Sequence, residues 1–279
     1  MSNVQRPTSG LQSPELEAED PVGAATHDRQ PDVGHWTLDI GLHSKADIGR
    51  WTLDVGLSVS DLRKSFSSPT GTRVEVLRGA SFSASAGEAV AIMGTSGAGK
   101  STLLHLLGGL EAADHGSIEA GNFAVHCAKP AALARFRNAH VGFVFQFHHL
   151  LADLTAVENV SLPLRINRVG QREATFRAGE MLEQVGLDSR IANSLVGHIS
   201  GGEQQRVAVC RALITSPGLV LADEPTGNLD TVTGAEIART IVSYARKAGS
   251  IVILATHNRE LAQICDRNLI LSEGRLREA

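Results

Sequence analysis

The chain has 279 residues, 42% of them hydrophobic and 20% charged, which is enough to bury the core of one large domain or two small ones. Its formal net charge of -4 lacks the basic excess of proteins that bind nucleic acid wholesale, so no nucleic-acid partner is expected. Three widely spaced cysteines fit neither a disulfide framework nor a zinc site, and no apolar run approaches the length of a membrane span.

The first part of the chain, residues 1–56, is predicted to be a disordered extension. Up to about residue 33 it combines prolines and an acidic cluster with few large apolar side chains, so burial cannot offset the entropy of ordering. A short tryptophan repeat follows, in which residues 34–42 recur as residues 49–57. We interpret it as a local duplication, and the alternative is a pair of partner-docking strands. The extension lacks a basic-then-apolar signal peptide, which favours a cytoplasmic protein.

Globular patterning begins at Leu57. Residues 57–62 and 74–77 alternate as strands, joined by a turn at 68–71, and Phe66 is placed just past the first strand.

A glycine-rich segment between a predicted strand and a predicted helix carries the first chemical motif. Apolar residues 89–93 precede it and helix-prone residues 102–107 follow it, the context that a phosphate-binding loop requires. Glycines let the backbone curl around a polyphosphate, so that N–H groups and the positive end of the helix face the anion. The predicted nucleotide-binding residues of this segment are Gly94, Thr95, Ser96, Gly97, Ala98, Gly99, Lys100, Ser101 and Thr102. We expect Lys100 to reach the β- and γ-phosphates and the Ser101 hydroxyl to ligate Mg²⁺.

The second half alternates between apolar strands and helices. Residues 141–145, 219–222 and 251–255 are short apolar runs of the kind that a parallel sheet buries on both faces. Residues 171–185 carry an apolar stripe at helical spacing, and residues 231–248 have helical spacing and length. This order predicts a doubly wound α/β core.

Polar side chains follow three of these strands. Asp223 and Glu224 end one strand, where Asp223 can hold Mg²⁺ through water and Glu224 can polarise an attacking water. Gln146 and His257 follow the neighbouring strands. We expect all of them at the sheet edge that carries the phosphate loop.

Ser200, Gly201 and Gly202 open a predicted helix and provide a second anion-binding helix start. They resemble the signature sequence of ATP-binding cassette (ABC) proteins. The other family motifs follow the same order, namely the Gln146 loop, the Asp223-Glu224 strand end, the D-loop at residues 228–230 and the switch histidine His257. The resemblance implies an ABC-type P-loop NTPase over residues 57–279. Such a cassette has a RecA-like parallel sheet core, an antiparallel β subdomain and an α-helical signature subdomain, here at about 147–216.

The resemblance also implies how the site is completed. Two cassettes pack head to tail, so that each ATP lies between one phosphate loop and the partner's Ser200, Gly201 and Gly202, with Asp230 across the same interface. Phe66 takes the place of the adenine-stacking aromatic, and Gln146 is implied as both a catalytic residue and a magnesium ligand. The cofactors are ATP and Mg²⁺, and the enzyme is a transport-coupled ATPase that uses Glu224, His257 and Lys100.

Narrower stretches resemble the ATPase subunits of lipoprotein-releasing systems, at residues 101–110, 146–151 and 224–230. The segment after Gln146 lies where such cassettes receive the coupling helix of a membrane permease, and Phe147 to Leu151 offer apolar side chains with two histidines at the rim. This implies a peripheral subunit at the cytoplasmic face of the inner membrane. Ile199 and Cys210 depart from the usual Leu and Ala without touching a catalytic atom.

Two alternatives stay open. The cassette could serve a related macrolide or peptide exporter or a cell-division complex, which share the form Thr226-Gly227-Asn228-Leu229-Asp230. It could also be a soluble ABC ATPase of DNA repair or translation, although such proteins typically carry tandem cassettes or a long coiled-coil insertion. A GTPase is disfavoured because the sequence contains no Asn-Lys-x-Asp motif.

Overall fold

The computed structural model describes residues 56–67, 71, 73–227 and 229–279. Most of the predicted extension, including the tryptophan repeat up to residue 55, lies outside the described residues. The same is true of positions 68–70 in the first turn and of Asn228 in the D-loop.

The described strands and helices follow the predicted alternation. The strands are β1 (Leu57–Ser67), β2 (Arg73–Ala84), β3 (Ala89–Met93), β4 (His115–Ala120), β5 (Phe123–Ala124), β6 (Val141–Val144), β7 (Leu219–Asp223), β8 (Ile251–Thr256), β9 (Arg267–Ser272) and β10 (Arg275–Glu278). The helices are α1 (Lys100–Leu107), α2 (Pro130–His140), α3 (Ala156–Ile166), α4 (Gln171–Gln184), α5 (Ser189–Ala192), α6 (Gly201–Leu213), α7 (Thr231–Ala248) and α8 (Arg259–Ala262).

The strands form two sheets. One has the order β2-β1-β4-β5 and is antiparallel throughout. The other has the order β10-β9-β3-β8-β7-β6, in which β10 alone runs antiparallel to its described neighbour. The parallel core and the antiparallel sheet predicted from the family resemblance are therefore confirmed.

Alternate residues of the parallel strands enter two separate cores. On β7, Leu219 and Leu221 join the core that includes β1, β2 and α1, while Val220 and Ala222 join the core beneath α3, α4, α6 and α7. Since side chains of a strand alternate between its faces, a strand covered on both sides must be apolar at every position. This explains the continuous apolar runs and confirms the predicted core strands.

The register of the parallel sheet brings the carboxyl ends of the strands together. Val144 of β6 pairs with Ala222, and Asp223 of β7 pairs with Ala255. Met93, the last residue of β3, pairs with Thr256. The segments that follow β3, β6, β7 and β8 consequently begin side by side at one edge.

The first hairpin is longer than its sequence pattern predicts. β1 continues to Ser67 and pairs with β2 up to Arg73, so Phe66 lies within the strand and not just past it, as predicted. Register shifts after Val59, Leu62 and Lys64 break the period of the ladder. The strict alternation of side chains between the two faces is therefore lost, although the two backbones stay paired.

Helices α3 to α6 form a separate layer. Helix α3 packs against α4 and α6, and the predicted stripe on α4 is buried at Ala174, Ala178, Met181 and Leu182. A capping box starts α3, in which Thr155 and Glu158 satisfy each other's backbone N–H groups. Within the residues described, no helix combines the length and hydropathy that would let it cross a bilayer.

Candidate functional site

The phosphate loop connects β3 to α1 in a conformation that requires glycine. Gly99, the residue before α1, has a φ of 102°, and a Cβ there would lie 2.7 Å from Val76 Cγ1. A Cβ on Gly94 would lie 2.7 Å from the carbonyl oxygen of Leu271. The strand, loop and helix predicted around the motif are confirmed.

Lys100, the first residue of α1, folds back over the loop. Its ammonium donates to the carbonyl oxygens of Gly94 at 3.0 Å and Thr95 at 3.2 Å, and it forms an ion pair with Glu224 Oε1 at 3.4 Å. Only 7% of the side chain is exposed. Ser101 is exposed and Thr102 is half-buried, so the residue predicted to ligate Mg²⁺ is open to solvent at the helix start.

Glu224 links the phosphate loop to the strand edge. Its Oε1 lies 2.9 Å from His257 Nδ1, and its backbone N–H donates to Ala255 at 2.9 Å. The φ of Glu224 is 43°, a left-handed conformation that costs a non-glycine residue free energy and recurs at active sites. The carboxylate thus stands between the cation of Lys100 and an imidazole that is 69% exposed.

Asp223 has an oxygen suited to a cation. Its Oδ1 is buried and has no hydrogen-bond partner among the described residues. A buried carboxylate oxygen left without a partner is costly, and an oxygen-seeking cation would satisfy it. Mg²⁺ is such a cation, and it is bound through one or two carboxylates together with substrate phosphates and water.

Gln146 lies near the turn that follows β7. A Cβ added at Gly227 would be 3.0 Å from Gln146 Nε2. The structure therefore brings Gln146 to the edge that carries Asp223, Glu224 and His257, as predicted from the strand order.

Ser200 caps helix α6 rather than presenting a free hydroxyl. Its Oγ accepts from the Glu203 N–H at 3.3 Å and donates to the Glu203 carboxylate at 2.8 Å. Gly201 is exposed and Gly202 is half-buried, and a Cβ at Gly202 would lie 3.7 Å from Thr233. The start of α6 is consequently preformed.

Asp230 caps the start of helix α7 in a similar way. Its carboxylate accepts from the N–H groups of Val232 at 3.1 Å and Thr233 at 3.0 Å. The hydrogen bond from Thr233 lowers the pKa of Asp230, so the group stays ionised at neutral pH. Among the described residues, no backbone hydrogen bond joins this helix start or that of α6 to the phosphate loop of the same chain.

The loop after β6 presents apolar side chains to solvent. Phe147 is 67% exposed and Leu151 is 48% exposed, whereas Leu150 packs partly against the core below α3. His148 is half-buried, and this burial lowers the pKa of its imidazole, so it is neutral at physiological pH.

Two residues that the motifs do not include hold this loop in place. Arg211, near the end of α6, donates to the carbonyl oxygens of His149 at 2.7 Å and His148 at 2.8 Å. Asn159, fully buried on α3, accepts from Leu151 N at 2.8 Å and donates to Leu151 O at 3.1 Å. The Arg211 contacts span 62 and 63 residues of sequence, whereas the Asn159 contacts span 8, and a buried asparagine on a helix face was the available signal for the second.

Comparisons with known proteins agree with this geometry. The family model described as ABC transporter matches residues 77–227. The lipoprotein-releasing system ATP-binding protein LolD of Geobacter metallireducens is 48% identical, over 78% of this chain and 96% of the relative. LolD of Legionella pneumophila is 44% identical, over 77% of this chain and 94% of the relative. The dimeric ATP-binding cassette MJ0796, solved in a post-hydrolysis state bound to ADP and Pi, is 33% identical with a TM-score of 0.75, covering 80% of this chain and 98% of that one.

Proposed function

Because the chain belongs to the ABC transporter family, we propose that it is the ATP-hydrolysing subunit of a membrane complex that releases lipoproteins from a bacterial inner membrane. The observation that carries the catalytic part is the convergence of Lys100, Glu224 and His257 beside a glycine-rich loop. The cargo is supported by the LolD relatives, which are 44% to 48% identical to most of the chain.

Catalysis follows from the way these groups are arranged. Lys100 leaves the loop carbonyls and Glu224 to contact the β- and γ-phosphates, which offer a stronger anionic partner. Glu224 is then free to accept a hydrogen bond from the attacking water. His257 keeps its contact with the Glu224 carboxylate and orients it towards the γ-phosphate. Mg²⁺ would be held by Ser101, Asp223 and Gln146, and it supplies neutralisation of the phosphate charge.

A second copy of the chain completes the site. The helix starts at Ser200 and Asp230 are preformed by their own caps, and Gly202 leaves the N-terminus of α6 open. In the proposed dimer, Ser200, Gly201 and Gly202 of the partner approach the γ-phosphate, with the partner's Asp230 beside them. The dimeric state of the MJ0796 cassette supports this arrangement.

Phe66 supplies the platform for the base. The residue is 40% exposed and pairs with Val74 near the turn end of the β1–β2 hairpin, and a base stacked on such a ring contributes about 1–3 kcal/mol. The phenyl ring keeps the π-face of a tyrosine and lacks only the hydroxyl.

The function as a whole is tested with purified protein and its membrane complex. We expect ATP hydrolysis that rises when the membrane subunits co-purifying with the chain are present in nanodiscs. Depletion of the chain should leave lipoproteins in the inner membrane. Stimulation by nucleic acid, with none by the membrane complex, would contradict this function.

The Mg²⁺ site gives a more local prediction. Asp223→Asn should lower ATP turnover at least about tenfold, because the amide cannot supply a charged oxygen to the cation. The Mg²⁺ concentration that gives half-maximal turnover should rise, whereas the control Glu119→Gln, at an exposed position of β4, should leave it unchanged. An unchanged Mg²⁺ dependence in Asp223→Asn would remove Asp223 from the site.

The loop after Gln146 gives a prediction about the membrane partner. Phe147→Ser should abolish most of the stimulation by the membrane complex, because it removes an exposed apolar side chain from the proposed coupling surface. Turnover of the isolated cassette should stay within about twofold of wild type. Phe176→Ser, which removes a similarly exposed phenylalanine from α4, is the control. Equal stimulation of the Phe147→Ser and wild-type proteins would place the partner elsewhere.

A further inference from the structure

Lys64 is a buried charge that no motif accounts for. It lies on β1 and is 9% exposed, although lysine is among the residues least often buried. Two positions further along the strand is Phe66, whose ring reaches the same ammonium across the register shift between Lys64 and Ser65.

The ammonium of Lys64 makes two hydrogen bonds and lies near a second carboxylate. It donates to Glu111 Oε2 at 3.0 Å and to the carbonyl oxygen of Ala112 at 2.7 Å, and Asp114 Oδ1 lies 4.0 Å away. The same nitrogen stands 5.0 Å from the centroid of the Phe66 ring, within the range of a cation–π contact. One side chain therefore contacts the ring and the segment that follows α1.

That segment is tied to the phosphate loop. Helix α1 starts at Lys100 in the loop and ends at Leu107, and the N–H groups of Leu110 and Glu111 both donate to the His105 carbonyl. A continuous series of contacts thus runs from the phosphate loop through α1 to Glu111, and from there through Lys64 to Phe66.

The contact also determines which face of the ring is open. An ammonium lies over one face of Phe66, and the ring remains 40% exposed. A planar base can then stack only on the opposite face. Fixing the ring in advance lowers the entropy that base binding would otherwise lose.

We propose that Lys64 is a positioning residue for the nucleotide base. It holds the Phe66 ring at a fixed distance from the phosphate loop, so that base and triphosphate bind together. This inference rests on the proposed function, since it requires that the phosphates occupy the loop and that Phe66 stacks the base.

The test separates the base from the phosphates. Dissociation constants are measured on the full chain for Mg–ATP and for Mg–tripolyphosphate, which has no base, by competition with a fluorescent ATP analogue. Lys64→Met should weaken ATP about fivefold, a part of the affinity that stacking supplies, and should leave tripolyphosphate within about twofold. The KM for ATP should rise with little change in kcat. Lys64→Arg, which keeps a cation over the ring, should restore most of the ATP affinity.

A double substitution asks whether Lys64 acts through Phe66. Phe66→Leu should weaken ATP by itself, and adding Lys64→Met to it should have no further effect. Lys247→Met, which changes an exposed lysine near the end of α7, is the control. Equal weakening of ATP and tripolyphosphate, or full additivity of the two substitutions, would overturn the inference and leave Lys64 a structural residue. If wild type bound neither ligand, the proposed function itself would fail, and this inference with it.

Discussion

Replacing Glu224 with glutamine is expected to lower ATP turnover at least about a hundredfold while ATP still binds. Glutamine has the same shape but cannot accept a proton from the attacking water. The substitution also removes the ion pair with Lys100, whose ammonium lies 3.4 Å from Glu224 Oε1. Because that pair must break before the ammonium can contact phosphate, ATP affinity should be equal to wild type or higher. The rate of phosphate release gives the turnover, and equilibrium binding of ATP to the same preparation gives the affinity.

The control for this result is Glu180→Gln, which makes the same chemical change at an exposed position of α4. It should hydrolyse ATP like wild type. Turnover by Glu224→Gln within about threefold of wild type would show that another group activates the water. Loss of ATP binding in Glu224→Gln would instead show that the ion pair with Lys100 supports the folded loop.

The catalytic edge could be predicted from the sequence because of how parallel strands are built. A strand that is apolar at every position is buried on both faces, and polar residues directly after it must emerge at its end. Asp223, Glu224 and His257 follow such runs, and their strands pair in register. The glycines of the phosphate loop were equally clear, because positive φ angles at Gly97 and Gly99 and close contacts at Gly94 and Gly99 disfavour a side chain.

Other parts of the site depend on contacts that no local pattern encodes. Lys64 contacts Glu111 and Ala112, which are 47 and 48 residues away in sequence. Register shifts in β1 also hide the strand that carries Lys64 and Phe66, because they interrupt the period of two. Arg211 donates to backbone carbonyl oxygens. Every residue type has such an oxygen, so the sequence does not indicate which residue accepts the hydrogen bond. The cap formed by Ser200 could be predicted in part, because Ser200 and Glu203 have the spacing of a capping box.

Gly202→Asp is expected to lower ATP turnover at least about thirtyfold without unfolding the chain. A Cβ at this position meets Thr233 at 3.7 Å, an ordinary contact, and the residue lies in the first turn of α6. The new carboxylate would repel the γ-phosphate held by the partner's loop. Gly202→Ala adds the Cβ without the charge and should keep most of the activity. Gly179→Asp on α4, where a side chain meets nothing within 4 Å, controls for the added charge.

Mixing two inactive variants tests whether the site is shared between chains. Lys100→Ala disables the phosphate loop and Gly202→Asp disables the start of α6, so each homodimer is inactive. A mixed dimer contains one site built from the intact loop of one chain and the intact helix start of the other. Equal mixing makes about half of the dimers mixed, and independent sites would restore about a quarter of wild-type turnover. Lys100→Ala mixed with Glu224→Gln should restore nothing, because these defects belong to the same half of the site. No recovery in the mixture of Lys100→Ala with Gly202→Asp would mean that a single chain forms a complete site, and recovery in the control would mean that Lys100 and Glu224 of different chains act in one site.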